Sequence, residues 1–223
     1  MVFEGVIVPS NPLLETLLLR LRDRSTPLPE FRELVEEVGL FLAYEMSKEL
    51  PQTQKCVETP LGKACGRHLE TNNIVLVVVL RAGLSLAWGM LKVWSNARVG
   101  FVAARRVEES MKRIEGKLFF DVEIGYVKLP EIRANNDVVV IVDPMLATGS
   151  TLCQILDIVY RYRPARVVVA SLIAAREGVE RLRECSEEVD TGVRLYVVAI
   201  DEQLNDKGFI VPGLGDAGDR AFG

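Results

Sequence analysis

Five short runs of β-branched and aliphatic residues recur along the chain: Ile74–Leu80 (IVLVVVL), Val99–Ala103, Val138–Val142, Val167–Ile173 and Leu195–Ile200. A strand with one wet face alternates polar and apolar residues; these runs do not, so both of their faces must be covered. Parallel strands lying between two helical layers satisfy that demand. Helix-like segments do lie between the runs, at Asn11–Arg22, Glu30–Glu49, Leu84–Trp94, Ser150–Tyr162 and Gly178–Glu184, several bounded by Pro or by capping Ser and Asn. The expected class is α/β, a central parallel sheet flanked by helices. At 223 residues, 49% of them hydrophobic, the chain is expected to form a single domain over 1–223.

Several function classes fall away at this level. A net charge of -4 gives no global field toward nucleic acid or an anionic membrane, so any anionic ligand must be met by local groups. The longest unbroken apolar run has seven residues and Glu4 interrupts the N-terminus, so neither a membrane span nor a secretory signal is expected and the chain is placed in the cytoplasm. Its four cysteines, Cys56, Cys65, Cys153 and Cys185, form no CxxC pair. Reduced thiols are therefore expected, with a Cys56–Cys65 bridge as the alternative. A single histidine, His68, read as a turn residue, removes multi-histidine metal sites and nearly every histidine-based triad.

The stretch Val138–Thr151, VVVIVDPMLATGST, carries the chemistry. In open parallel sheets ligands bind beyond the carboxyl ends of the strands, and Asp143 stands at such an end. Behind it, the loop Leu146–Thr151 enters a helix, so backbone amides, the helix dipole and the hydroxyls of Thr148, Ser150 and Thr151 can grip a phosphate. It is not a Walker loop, because no lysine lies between Val138 and Tyr160. At ~8 Å and an effective dielectric of ~20, a carboxylate and a phosphate repel by roughly 2 kcal/mol per pair of unit charges. Asp143 should therefore face ribose hydroxyls or a hard cation such as Mg²⁺, and a sugar phosphate meets both halves of the stretch. The plainer alternative is that Asp143 caps a turn and the hydroxyls cap a helix.

Three more segments bear on this reading. Arg81 follows the strand Ile74–Leu80 directly, where it can reach over the strand tip toward an anion, with Gly83 admitting a close backbone approach. Ala104–Lys117, ARRVEESMKRIEGK, concentrates charge and reads as a mobile flap, or as a solvated amphipathic helix given the spacing of Val107, Met111 and Ile114. Strand-like residues at Asp121–Val127 turn the whole stretch Phe101–Lys128 into a loop or hairpin projecting from the core. Gly213–Gly218, GLGDAG, is a literal GxGxxG, yet only five residues follow it, so it fails as a dinucleotide fingerprint and reads as a rigid turn.

DPMLATG, with Pro144 where most relatives carry a second acidic residue, resembles the ribose-phosphate loop of the type I phosphoribosyltransferases, and specifically the uracil-specific group in its archaeal form. Ser150 departs mildly from a further Gly common in that loop. The resemblance extends to Leu80–Gly83 (LRAG), to Arg106 with Glu108 and Glu109, to LRD at Leu21–Asp23, to ETPLG at Glu58–Gly62 and to the tail GFIVPGLGDAGDRAFG. It implies a sheet with N-terminal helices over about 10–50, a β-hairpin with a flexible flap at about 104–117, and a base-binding C-terminal hood at about 205–223.

The implied reaction joins uracil to the ribose of 5-phosphoribosyl 1-pyrophosphate, giving uridine monophosphate and pyrophosphate in pyrimidine salvage, in a homodimer or homotetramer that binds neither nucleic acid nor membrane. The ribose-phosphate partner would be held by Arg81, Ala82, Gly83 and Arg106, by Asp143, Pro144, Met145, Leu146 and Ala147, by Thr148, Gly149, Ser150 and Thr151, and by Asp216. Uracil would lie against Ile210, Gly215, Asp216 and Ala217. Asp143, Arg106 and Asp216 are the catalytic candidates, and Mg²⁺ arrives on the substrate rather than in a protein cage. The uracil edge, acceptor-donor-acceptor, suits bare backbone groups and penalises cytosine. The competing reading is a non-catalytic nucleotide sensor on the same scaffold, whose best basic patch is Arg161, Arg163 and Arg166.

Overall fold

In a computed structural model the protein is described over residues 5–114, 116–187 and 192–223. The chain runs through β1 (Val6–Ile7), α1 (Pro12–Arg22), α2 (Leu28–Met46), β2 (Gln52–Thr59) and β3 (Gly62–Leu69). It continues with β4 (Ile74–Leu80), α3 (Gly83–Val93), β5 (Arg98–Ile114), β6 (Lys117–Lys128), β7 (Val138–Val142) and the short β8 (Met145–Leu146). Then follow α4 (Ser150–Tyr160), β9 (Arg166–Ala175), α5 (Arg176–Glu187), β10 (Val193–Asp201), β11 (Gln203–Leu204), β12 (Ile210–Val211) and α6 (Ala217–Phe222).

The main sheet has the order β1-β10-β9-β7-β4-β5-β6, with β8 beside β9, and every pairing is parallel except the β5–β6 hairpin. Period-two alternation sends the side chains of each buried strand to opposite faces. Ile74, Leu76 and Val78 of β4 join a core with α1, α2 and α3, while Val75, Val77 and Val79 join a second core with α4 and α5. Both faces of β4 and β7 are thus covered, as the unbroken apolar runs require. Parallel pairing brings the carboxyl ends of β4, β7 and β9 to one edge, where the loops into α3, α4 and α5 begin.

Local chemistry sets the boundaries. Asn11 caps α1, its side chain accepting from the Leu13 amide at 2.9 Å, and Pro12 occupies the first turn, where its missing donor costs nothing. No helix among the described residues is long and apolar enough to cross a membrane.

Phe101–Lys128 forms the projecting hairpin: residues 104–114 continue β5 instead of taking up the alternative helix, with 104–107 and 112–114 paired to β6 across a register shift. Two expectations are corrected. His68 lies in β3 rather than in a turn, paired with Thr53. The cysteines are bridged instead of reduced: Cys56 bonds Cys65 across the β2–β3 hairpin, and Cys153 on α4 bonds Cys185 on α5, with no free thiol among the described residues. Spacing alone carried no sign of the second bridge, since only the packing of α4 on α5 brings its cysteines together. Residues 52–69 form an exposed two-stranded arm that the runs of apolar residues did not announce.

Candidate active site

A cavity of about 220 Å³ opens at the carboxyl edge of the sheet. Its floor is Asp143, 9% exposed, directly after β7. The Asp143 amide donates to the Ala170 carbonyl at 3.1 Å and its carbonyl accepts from the Ser171 hydroxyl at 2.6 Å, so the neighbouring strand fixes the backbone from both sides. Among the described residues its carboxylate receives one long contact, from the Met145 amide at 3.4 Å. Burial pushes the carboxyl up to about 7, more than the Met145 amide and the Arg106 guanidinium pull it down. A buried carboxyl of this kind favours hydroxyl donors or a cation at its oxygens.

The loop that follows climbs the cavity wall. Met145, Leu146, Ala147, Thr148, Gly149 and Thr151 all line it. Gly149 takes a left-handed conformation, φ 81°, and α4 starts immediately after it; the N-cap glycine brings no side chain to the first turn, where the Ser150 amide makes one long contact to the Thr148 hydroxyl, 3.5 Å. Uncapped amides at a helix N-terminus facing a cavity are an anion site by geometry. Two residues of the same stretch face elsewhere. The Pro144 carbonyl accepts from the amides of Leu172 and Ile173 and anchors the loop to β9, while Ser150 accepts from the Thr148 hydroxyl at 3.3 Å behind the cavity wall.

Arg106, on β5, reaches the cavity from the hairpin. Its guanidinium lies 4.9 Å from the Phe120 ring centroid and 5.4 Å from that of Phe209, and it donates to the Gly208 carbonyl at 3.3 Å. Two aromatic faces thereby hold a cation whose reach would otherwise vary. Glu108 sits 3.5 Å away, and Arg105 points outward to Glu123.

The loop after β4 is only partly assembled as expected. Ala82 lines the cavity, but Arg81 turns its guanidinium to Asp219, 2.9 Å, and to the Gly223 carbonyl, 3.0 Å. Gly83 contributes a close approach of a different kind: a Cβ there would stand 2.4 Å from the Val142 carbonyl oxygen, so the small residue lets α3 begin against β7 rather than against a ligand.

The C-terminal tail closes the cavity opposite Asp143. Ile210, Gly215, Asp216 and Ala217 line it, joined by Gly208, Phe209 and Gly218. One Asp216 carboxylate oxygen caps α6 by accepting from the Asp219 amide at 2.9 Å. The side chains missed by sequence reasoning are apolar or absent: Phe209 and Phe120 show their use only once Arg106 lies between them.

With this geometry in place, the comparisons with known proteins are decisive. A family model described as uracil phosphoribosyltransferase matches residues 8–223. The chain belongs to the uracil phosphoribosyltransferase family. A uracil phosphoribosyltransferase from Pyrobaculum arsenaticum is 47% identical, spanning 92% of this chain and 93% of that one. One from Thermococcus kodakarensis is 42% identical over 99% of this chain and 92% of its own. Among solved structures, the AQ2163 protein from Aquifex aeolicus superposes with a TM-score of 0.87 at 38% identity, covering 97% of each chain. In family terms, the LRD residues lie at the end of α1 and ETPLG forms the tip of the exposed β2–β3 arm, where Leu61 is 99% exposed. Arg166 of the basic patch donates to the Glu49 carbonyl at 2.9 Å.

Proposed function

We propose that this chain transfers the phosphoribosyl group of 5-phosphoribosyl 1-pyrophosphate to N1 of uracil, yielding uridine monophosphate and pyrophosphate for pyrimidine salvage. The observation that carries this is convergence: a buried carboxylate, an uncapped helix N-terminus, an aromatic-clamped arginine and a glycine-rich chain end share one cavity. The 5′-phosphate is assigned to the backbone amides of Thr148–Thr151 and the hydroxyls of Thr148 and Thr151, with Met145 to Ala147 shaping the ribose side. Asp143 takes the ribose hydroxyls and steadies the positive charge that develops at C1 as the C1–O bond lengthens. Arg106 takes charge on the departing pyrophosphate, and Arg81 joins it by exchanging its tie to Asp219 for the ligand. The new bond forms from N1 to C1 while pyrophosphate leaves with the electron pair of the broken C–O bond. Asp216 is assigned to the base side, where the oxygen not used by the cap can accept the N1 proton.

Mg²⁺ fits this site as an ion brought by substrate. One buried carboxylate beside a bound pyrophosphate is a donor set Mg²⁺ accepts. Asp143 would hold it, and the ion would supply neutralisation of the leaving group's charge. We place the enzyme in the cytoplasm as a homodimer or homotetramer. Incubation of the pure protein with 5-phosphoribosyl 1-pyrophosphate, Mg²⁺ and one nucleobase at a time, followed by mass, should give a nucleotide from uracil. Product from guanine or adenine with none from uracil would overturn the assignment.

A further inference from the structure

The base-binding turn is short of the means to hold its own shape. Gly213 and Gly215 both adopt positive φ, 57° and 82°, and the turn leads straight from β12 into the six-residue α6. Glycine backbone of this kind samples many conformations in isolation, so a single geometry has to be imposed from outside. Two arginines distant in sequence do so. Arg22, at the end of α1, forms a bidentate pair with Asp201, at the end of β10, with Nη2 to Oδ1 at 2.7 Å and Nη1 to Oδ2 at 2.8 Å. The same Nη1 donates to the Gly213 carbonyl at 2.8 Å, and the Gly213 amide donates to Asp201 Oδ2 at 2.9 Å. Both polar groups of one peptide residue are thus claimed by one buried ion pair.

Arg220, on α6, claims the next carbonyl. Its Nη1 donates to the Leu214 carbonyl at 2.9 Å, its Nη2 to the Asp23 carbonyl at 2.6 Å, and its guanidinium lies 4.3 Å from the Phe31 ring centroid. With the carbonyls of Gly213 and Leu214 turned to guanidinium groups, the backbone left facing the cavity begins at Gly215 and runs on through Asp216 and Ala217. Burial raises the Asp201 carboxyl, yet the Arg22 fork and the Gly213 amide outweigh it and hold the group below the usual carboxylate range, so the pair stays ionised across neutral pH.

We infer that Arg22 and Asp201 are positioning residues for the pyrimidine: they lock the Gly213 peptide so that the following amides meet the base edge, and they act on the base alone. This rests on the uracil assignment above. Neither residue lines the cavity, so neither touches substrate directly. Their effect should fall on uracil affinity and leave the phosphoribosyl side, built on the loop from β7 into α4 together with Arg81 and Arg106, unchanged.

Steady-state kinetics of Asp201→Asn, Arg22→Lys and Gly213→Ala test it, with thermal unfolding run beside them. Asn keeps the shape of Asp201 without its charge, and Lys keeps the charge of Arg22 without the fork. A Cβ at Gly213 would stand 2.1 Å from the Ile210 carbonyl oxygen, so the third variant deforms the turn from its own side while keeping both charged side chains. The expected result is a KM for uracil raised about tenfold or more in all three, with the KM for 5-phosphoribosyl 1-pyrophosphate held within about twofold, the signature of binding energy lost on one substrate only. Equal rises in both constants, or an unchanged uracil KM in variants that unfold cooperatively, overturns the positioning role. Should Asp201→Asn not fold, the other two variants decide the matter by the same split. Wild-type protein inert toward uracil in the same assay would instead remove the functional assignment on which the inference stands.

Discussion

At Asp143 the cost of burying a carboxylate is coupled to its use. Its carboxyl is raised to about 7 by burial, whereas an unfolded chain would release the proton near the ordinary aspartate value of 3.8. Between those two pH values the folded state keeps a proton that the unfolded state gives up, so the contribution present below the lower pKa is lost as pH rises through the upper one, by up to about 4 kcal/mol. An Asn at this position has no such dependence. Thermal unfolding from about pH 4 to pH 8, without ligand, should therefore show Asp143→Asn gaining on the wild type as pH rises and the gap levelling off above about 7. A gap independent of pH would mean that the carboxyl is not raised. In turnover the order reverses, with Asp143→Asn slowed by about 10²- to 10³-fold through loss of charge at the developing cation. Arg106→Lys should keep the charge but lose the seat between Phe120 and Phe209, raising the KM for the phosphoribosyl donor by about tenfold. An unaltered KM would show that the aromatic clamp has no part in binding. The loop from Asp143 to Thr151 was legible because carboxylate, hydroxyls and glycine stand together in sequence. Phe209 and Gly208 were not, because an aromatic ring or a bare backbone has no chemical signature until a charge is placed beside it.

The elements differ in how far sequence dictates them. For β4 and β7 the observed bounds, Ile74–Leu80 and Val138–Val142, coincide with the apolar runs, since burial on both faces leaves no other pattern available. The β2–β3 arm has neither face in the core and so no alternation to read. Its Cys56–Cys65 bridge stood in the sequence only as an alternative, and the antiparallel register places those residues opposite each other. Helix α5 is the element whose work least resembles its sequence. On one side Gly178 lies against the Ala147 carbonyl, where a Cβ would come within 2.3 Å, and Cys185 is bonded to Cys153 in the second turn-equivalent of α4. On the other, Glu184 takes Lys117 at 2.8 Å and Glu177 takes the Leu118 amide at 2.5 Å, docking the hairpin tip. The bridge between α4 and α5 closes 32 residues and that of the arm only 9, so chain entropy makes the first worth about 4 kcal/mol and the second about 3. Because the arm is exposed along its length, its loss stays local. Replacing Cys153 and Cys185 together by Ala should lower the main thermal transition by several degrees, and the Cys56/Cys65 double replacement should barely move it. Equal shifts would show the arm to be integral to the core.

For the molecule as a whole, the question is whether the C-terminal hood is an appendage on a finished domain or part of its core. The stretch after Asn205 is rich in Gly and Asp and too short to make another layer by itself. The structure seats Ile210, Leu214, Ala217 and Ala221 in the same core as α1, α2 and the inner face of β4, and Arg220 fastens that layer to the carbonyls of Leu21, Asp23 and Leu214. Burying Ile210 and Leu214 alone is worth about 3 to 6 kcal/mol, comparable with the total stability of about 5 to 15 kcal/mol typical of a domain. Removing residues 206–223 would uncover Leu21 and Phe31, each 1% exposed or less, and would leave the Arg22–Asp201 pair without its third partner, Gly213. The truncated chain should therefore lose its sharp thermal transition and its near-ultraviolet circular dichroism along with its activity, while Asp216→Asn, which removes one charge from the cavity and keeps the hood, should retain both signals and lose activity alone. A truncated protein that still unfolds cooperatively at nearly the wild-type temperature would separate the base site from the fold. The coupling argued here predicts that the two cannot be separated, because the turn that meets the base and the residues that seal the helical layer belong to one short stretch of chain.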